Sequence, residues 1–425
     1  MSDSLHPDIP GIDQNVFSAL QSLKELPKIQ KALDIALKQT DQAMTEQVEI
    51  CEIPSPTFHE EKRADEIARR MKAYGLTDVT IDAIGNVVGV RKGNGHGPVL
   101  VIDAHMDTVF PEGTDVTVRR EGDTYYAPGI GDNTSGVRAL LQLIRCFNEA
   151  DIQTQGDIIF VGTVGEEGNG DIRGAKFICN GERHIDGYIA IDSFTAGVVV
   201  MGGVGCPRWR VGISGPGGHS FMDCGNIPSA IHAMCHAGHL IDQLTSPSEP
   251  YTTFNIGTIK GGTSVNTIAP SCEVDVDIRS ISNEELLKLE AQIFQAFEDG
   301  VAEENKRWGI TDPEKMLKLT KTQIGDRPAG ARPDDCPVIQ SALCAQKLLG
   351  IELTQFCPSA TDANAPISRN IPSACLGSGG LSEKFHSLDE YFVAQDIHQG
   401  PQLVLLAACT LVGAEGQKPL LPIVK

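Results

Sequence analysis

Val99-Leu100-Val101-Ile102-Asp103 is an apolar run too short to be a free-standing helix, and it opens into a polar stretch carrying His105 and Asp107. Two further runs share its form, Ile158-Ile159-Phe160-Val161 and Tyr188-Ile189-Ala190-Ile191, and the pattern between the first two predicts a helix over 135–149. Continuous apolar runs alternating with helices mark a parallel or mixed sheet buried on both faces. The first half therefore reads as α/β.

Working outward, residues 12–48 are polar and helix-favouring, with apolar positions such as Val16, Leu20, Leu23 and Leu33, and predict one or two amphipathic helices. Another helix, over 61–74, ends at Gly75, a fitting C-cap. Near Gly205 the texture changes. Glu273-Val274-Asp275-Val276-Asp277-Ile278-Arg279 alternates strictly, as a half-exposed antiparallel strand does. With strands over 209–214 and 254–260 and helices over 227–244 and 283–306, it composes a βαββα unit. The expected organisation is a three-layer αβα domain with a mixed, mostly parallel sheet, formed by residues 1–205 (1–48 as a helical extension) and 326–425. An α+β, ferredoxin-like domain over 206–325 interrupts it.

Composition sets outer bounds. Over 425 residues, 41% hydrophobic and 21% charged, the balance is globular and excludes a disordered chain, a collagen or a coiled coil. The net charge of −21, with no basic patch, speaks against a nucleic-acid partner. The apolar segment Leu403–Val412 is too short to cross a bilayer. Met1-Ser2-Asp3-Ser4 lacks the basic and apolar parts of an export signal, and the 12 cysteines include no Cys-x-x-Cys pair. The expectation is a cytoplasmic protein with reduced cysteines and no membrane association.

In open α/β sheets, ligands bind beyond the carboxyl ends of the strands. The polar residues placed there are His105 and Asp107 after the first run, Glu166 and Glu167 after the second, and Asp192 after the third. His386 follows a fourth run, Ala374-Cys375-Leu376. Asp132, in Gly129-Ile130-Gly131-Asp132-Asn133, stands just ahead of a helix. Singly, each is more often a surface or loop residue. Together, clustered acids would repel one another without a cation. Two divalent ions balance the charges of Asp132, Glu167, Asp192 and one hydroxide, with neutral His105 and His386 completing the shell and one glutamate left for proton transfer. Mixed N/O ligation suits zinc, with cobalt and manganese as alternatives. His232, His236 and His239 share a helix face but are read as a packed or dimer-facing surface.

His105-Met106-Asp107-Thr108-Val109, Gly131-Asp132-Asn133, Glu166-Glu167-Gly168, Gly217-Gly218-His219-Ser220 and His386-Ser387-Leu388-Asp389-Glu390 resemble, in order, the motifs of the co-catalytic metallopeptidases and deacylases. That family contains peptidase T, carboxypeptidase G, aminoacylase and succinyl-diaminopimelate desuccinylase. The resemblance runs from about Glu49 to Phe392. It implies that His105 and Asp192 hold one metal, Glu167 and His386 the other, and Asp132 bridges them across a cis Asp132–Asn133 peptide. It further implies Asp107 as acceptor for His105, Glu166 as general base and acid toward a metal-bridging hydroxide, and His219 as oxyanion donor from the inserted lid domain of a homodimer partner. Asn266 and Arg279 would bind a substrate carboxylate. An aspartate at Asp192 leans toward a peptidase T-like aminopeptidase of di- and tripeptides. The alternatives are a deacylase or desuccinylase of N-acyl amino acids, a carboxypeptidase, and, remotely, a non-catalytic binding protein.

Overall fold

The computed structural model describes residues 10–95 and 97–423; the Met1–Ser4 start lies outside them. The chain forms two compact units. One is Val204–Gly330, and the other combines the segments on either side of it.

In the larger unit the main sheet runs from Asp78–Ile81 through Val87–Arg91, Asp157–Thr163, Val99–His105, Gly187–Asp192 and Ser373–Gly377 to Val198–Gly203. The four strands from Asp157–Thr163 to Ser373–Gly377 are mutually parallel, so Thr163, His105, Asp192 and Gly377 end along one edge. Each apolar run is divided between the two faces by the period of two. Leu100, Ile102, Ile158, Phe160, Ile189 and Ile191 enter one core cluster. Val101, Ile159, Val161, Tyr188 and Ala190 enter another on the opposite side. Burial on both faces is why these runs show no polar alternation.

Helices Thr134–Glu149, Pro337–Leu349 and Gln399–Val412 pack in the larger core cluster, and the last is the buried home of Leu403–Val412. No helix among the described residues is long and apolar enough to cross a membrane. All twelve cysteines are free, and nine of them are buried.

The amino-terminal segment holds three helices rather than one or two: Gln14–Lys24, Pro27–Lys38 and Thr40–Cys51. Pro27 lacks the N–H needed to continue the first helix and instead starts the second, which accounts for the break. These helices are integral to the core, because Leu20, Leu23, Ile29 and Ala32 are fully buried within the main cluster.

The inserted unit has a four-stranded antiparallel sheet ordered Thr252–Gly261, Ser271–Ser280, Cys206–Ser214, Lys318–Arg327, with helices Ala230–Asp242 and Asn283–Arg307 in the same apolar cluster. Strand Lys318–Arg327 makes it βαββαβ and carries it past 325 to Gly330. That strand lies at the sheet edge and is largely exposed, so it lacks the apolar alternation that marks Ser271–Ser280.

Leu23→Ala tests whether the first helix belongs to the core. Truncating this fully buried side chain should cost about 2–5 kcal/mol, read as a lower urea midpoint. A change within error would mean the helix is only appended.

Candidate active site

His105 ends its strand and is 3% exposed. Its Nε2 lies 3.2 Å from Asp132 Oδ1 and 3.8 Å from Asp192 Oδ1. His386 Nε2 lies 3.0 Å from Glu167 Oε1 and 3.2 Å from Asp132 Oδ2. Asp132 thus turns one oxygen toward each imidazole. Two groupings with metal-ligand geometry result, His105–Asp132–Asp192 and Asp132–Glu167–His386, and Glu166 joins His105 and Glu167 in a third. His386 is half exposed, so the centre opens to solvent on that side.

These separations test whether a cation fits. Ligands about 2.0–2.2 Å from a tetrahedral ion stand about 3.3–3.6 Å from each other. The observed 3.0–3.8 Å brackets that edge length. The electrostatics agree. Burial opposes charge on His105, yet Asp107, Asp132 and Asp192 outweigh it and raise its pKa well above the usual value. Asp132 and Glu167 raise His386 to about 10. Burial pushes Glu167 up, whereas the two imidazoles hold Asp132 below the usual carboxylate range despite its burial.

Two buried carboxylates fix the loops that carry these candidate ligands. Asp107 accepts from the backbone N–H groups of Glu166 at 2.9 Å and Glu167 at 3.1 Å, and from Thr57 Oγ1 at 2.8 Å. The acceptor nearest His105 Nδ1 is the main-chain oxygen of Asp107 at 3.2 Å, with its carboxylate at 3.5 Å. The expected link from Asp107 to His105 is therefore made first through the backbone, because the carboxylate is committed to the Glu166–Glu167 loop.

Glu390 accepts from the N–H groups of Gly129, Gly131 and Asp132, each at 2.9 Å, and burial raises its pKa to about 7. A side chain on Gly131 would meet Ser382 Oγ at 2.5 Å, which requires glycine there. The Asp132–Asn133 peptide is cis, and Asn133 Nδ2 donates to Ile191 O at 2.9 Å, tying the bridging loop to the strand that ends in Asp192. Arg63, 1% exposed, donates to Met106 O at 2.9 Å, just past His105. Glu390 stood in a quoted motif without a role, and nothing in the sequence marked Arg63 or Thr57.

In the inserted unit, His219 and Asn266 share a small ribbon in which His219 pairs with Thr267 and Ser220 N donates to Asn266 O at 3.0 Å. Arg279 lies on the four-stranded sheet, its Nε donating to Asp277 Oδ2 at 2.8 Å. Among the described residues, His232, His236 and His239 enter no grouping with metal-ligand geometry. Instead, His232 Nδ1 lies 3.5 Å from the buried Glu304 carboxylate, supplied by the other helix.

A mostly parallel sheet with acids and imidazoles converging at its strand ends makes a site suited to divalent metal ions. The profile of Peptidase family M20/M25/M40 matches residues 101–409, and the chain belongs to that family. It is 26% identical over 383 residues to the uncharacterized protein YqjE of Bacillus subtilis, covering 85% of this chain and 96% of that one. Among solved structures it resembles aminopeptidase PepT of Bacillus cereus (TM-score 0.70, 22% identity) and a tripeptidase of Staphylococcus aureus (TM-score 0.71, 24% identity). Each comparison covers 87% of this chain and 97% of the other.

Two outcomes check the centre. Raised imidazole pKa values mean that a cation must displace protons, so metal affinity should weaken as pH falls. From roughly pH 8 to pH 6 the loss should be about tenfold per pH unit for each proton displaced, measured by chelator competition. A flat profile would contradict the convergence of imidazoles and acids. Asp107→Asn should lower metal affinity by about 10–100-fold, measured by metal analysis after dialysis.

Proposed function

We propose that the protein is a two-metal exopeptidase of the peptidase T type, cleaving di- or tripeptides that carry a free carboxylate. The observation that carries the two-metal reading is Asp132, with one oxygen 3.2 Å from each of two imidazoles. His105 and Asp192 would hold one ion and Glu167 and His386 the other, with Asp132 shared between them, and zinc suits this mixed N/O set best. When bound, the ions polarise the scissile carbonyl and acidify water.

Glu166 then takes a proton from the attacking water and returns it to the leaving amine. Its placement beside His105 and Glu167 supports this role. His219 donates to the developing oxyanion from the inserted unit of a partner subunit, making a homodimer the working form. Asn266 and Arg279 receive the substrate carboxylate, for which a guanidinium fork is well matched. Asp192, one methylene shorter than a glutamate, supports the peptidase reading over an N-acyl-amino-acid amidohydrolase.

A hydrolysis panel tests the substrate class. Di- and tripeptides should turn over faster than N-acetyl, N-succinyl and N-carbamoyl amino acids with zinc, cobalt or manganese, and the reverse order would replace the proposal with a deacylase. Glu166→Ala should lower kcat by about 10²–10⁴-fold while both metals stay bound. Loss of metal together with activity would identify Glu166 as a ligand.

A further inference from the structure

His219 is exposed, and an exposed imidazole normally samples both neutral tautomers. Its surroundings here allow one. Nδ1 lies 3.2 Å from the backbone nitrogen of Phe221 and 3.3 Å from that of Met222, both in hydrogen-bonding geometry. A backbone N–H can only donate, so Nδ1 must present its lone pair and the ring proton sits on Nε2. The side chains of Phe221 and Met222 are 83% and 72% exposed, so their part in this turn is played by the main chain.

The turn that aims these two amides is closed by Asp223. Its Oδ2 accepts from the His219 backbone N–H at 2.7 Å, and its own N–H donates to His219 O at 3.0 Å. Space for the carboxylate comes from Gly218, whose Cβ, if present, would stand 2.8 Å from Asp223 Oδ2. Gly217 holds φ at +67°, which turns the chain into this approach. Two glycines, one histidine and one aspartate therefore form a single device.

We infer that Asp223 is a positioning residue that latches the 219–223 turn and thereby holds His219 as an Nε2–H donor. The inference rests on the reading of His219 as the oxyanion donor. For that task the tautomer decides the sign of the interaction: an Nε2–H stabilises developing negative charge, whereas a bare lone pair at Nε2 repels it.

The test uses full-length, metal-loaded protein labelled with ¹⁵N-histidine, with the His219 ring assigned by comparison with His219→Asn. In the parent protein, Nε2 should resonate as a protonated nitrogen and Nδ1 as an unprotonated one. Asp223→Ala should give a mixture of tautomers and lower kcat by about 10–100-fold, with KM and metal content unchanged. Asp223→Asn keeps an acceptor oxygen and should restore both signals and most of kcat. Phe221→Ala, which keeps its amide, should leave the tautomer intact.

An Nδ1–H tautomer in the parent, or an Asp223→Ala protein with unchanged tautomer and kcat, would overturn the latch. If His219→Ala turned over at the parent rate, the oxyanion assignment would fail instead, while the tautomer result on Asp223 would stand by itself.

Discussion

The larger unit is organised around a repulsion. Asp132, Glu167 and Asp192 converge with two imidazoles at the end of one sheet, and none of the three acids is more than 14% exposed at its side chain. Gathering like charges with little water around them is unfavourable unless positive charge is shared among them. Asp132 is central because both of its oxygens are used, one toward each histidine. Without it the site would divide into two incomplete halves. The same convergence that raises the histidine pKa values thus makes the centre a candidate receptor for divalent ions.

Holding such a cluster open requires a scaffold that does not depend on the ligands themselves. Asp107 and Glu390 provide it by the same means, each a buried carboxylate accepting backbone N–H groups from a ligand-bearing loop. Hydrogen bonds to charged acceptors are roughly twice as strong as neutral ones, and main-chain donors carry no rotamer freedom. The Glu166–Glu167 loop and the Asp132 loop are therefore placed by their backbones, leaving the side chains to face the centre. Asp107 serves both sides at once, through its carboxylate toward one loop and through its carbonyl toward His105.

What was legible in the sequence follows from this division of labour. The sheet could be read because Val99–Ile102 and its counterparts are unbroken apolar runs, and His105, Glu167 and Asp192 because they stand just beyond those runs, whereas Asp132 and His386 needed the quoted motifs. The βαββα core of the inserted unit showed through the alternation of Glu273–Arg279. Strand Lys318–Arg327 did not, because an exposed edge carries no burial pattern. Asp107 could be singled out, but its partners could not. Two of them are main-chain amides some sixty residues away, and a backbone donor has no residue type to betray it; the third, the Thr57 hydroxyl, lies fifty residues before it in no motif. Arg63 and Glu390 were hidden because their partners too are main-chain groups, carbonyls for the one and amides for the other, and Pro27 was an overlooked local signal, able to divide the first helix from the second.

The two units solve the problem of orientation in contrasting environments. In the larger unit the orienting carboxylates of Asp107 and Glu390 are fully buried, where leaving a polar group unpaired is costly and the arrangement is correspondingly rigid. Around His219 the orienting contacts lie at the surface, where water competes for every donor and acceptor and each hydrogen bond contributes less. Compactness there comes from sequence economy instead: residues 217–223 hold the glycines that admit the carboxylate, the imidazole, the two amides that face it and the aspartate that closes the turn. A local device of this kind needs no support from a distant core, so an imidazole can be held in one orientation on an exposed ribbon.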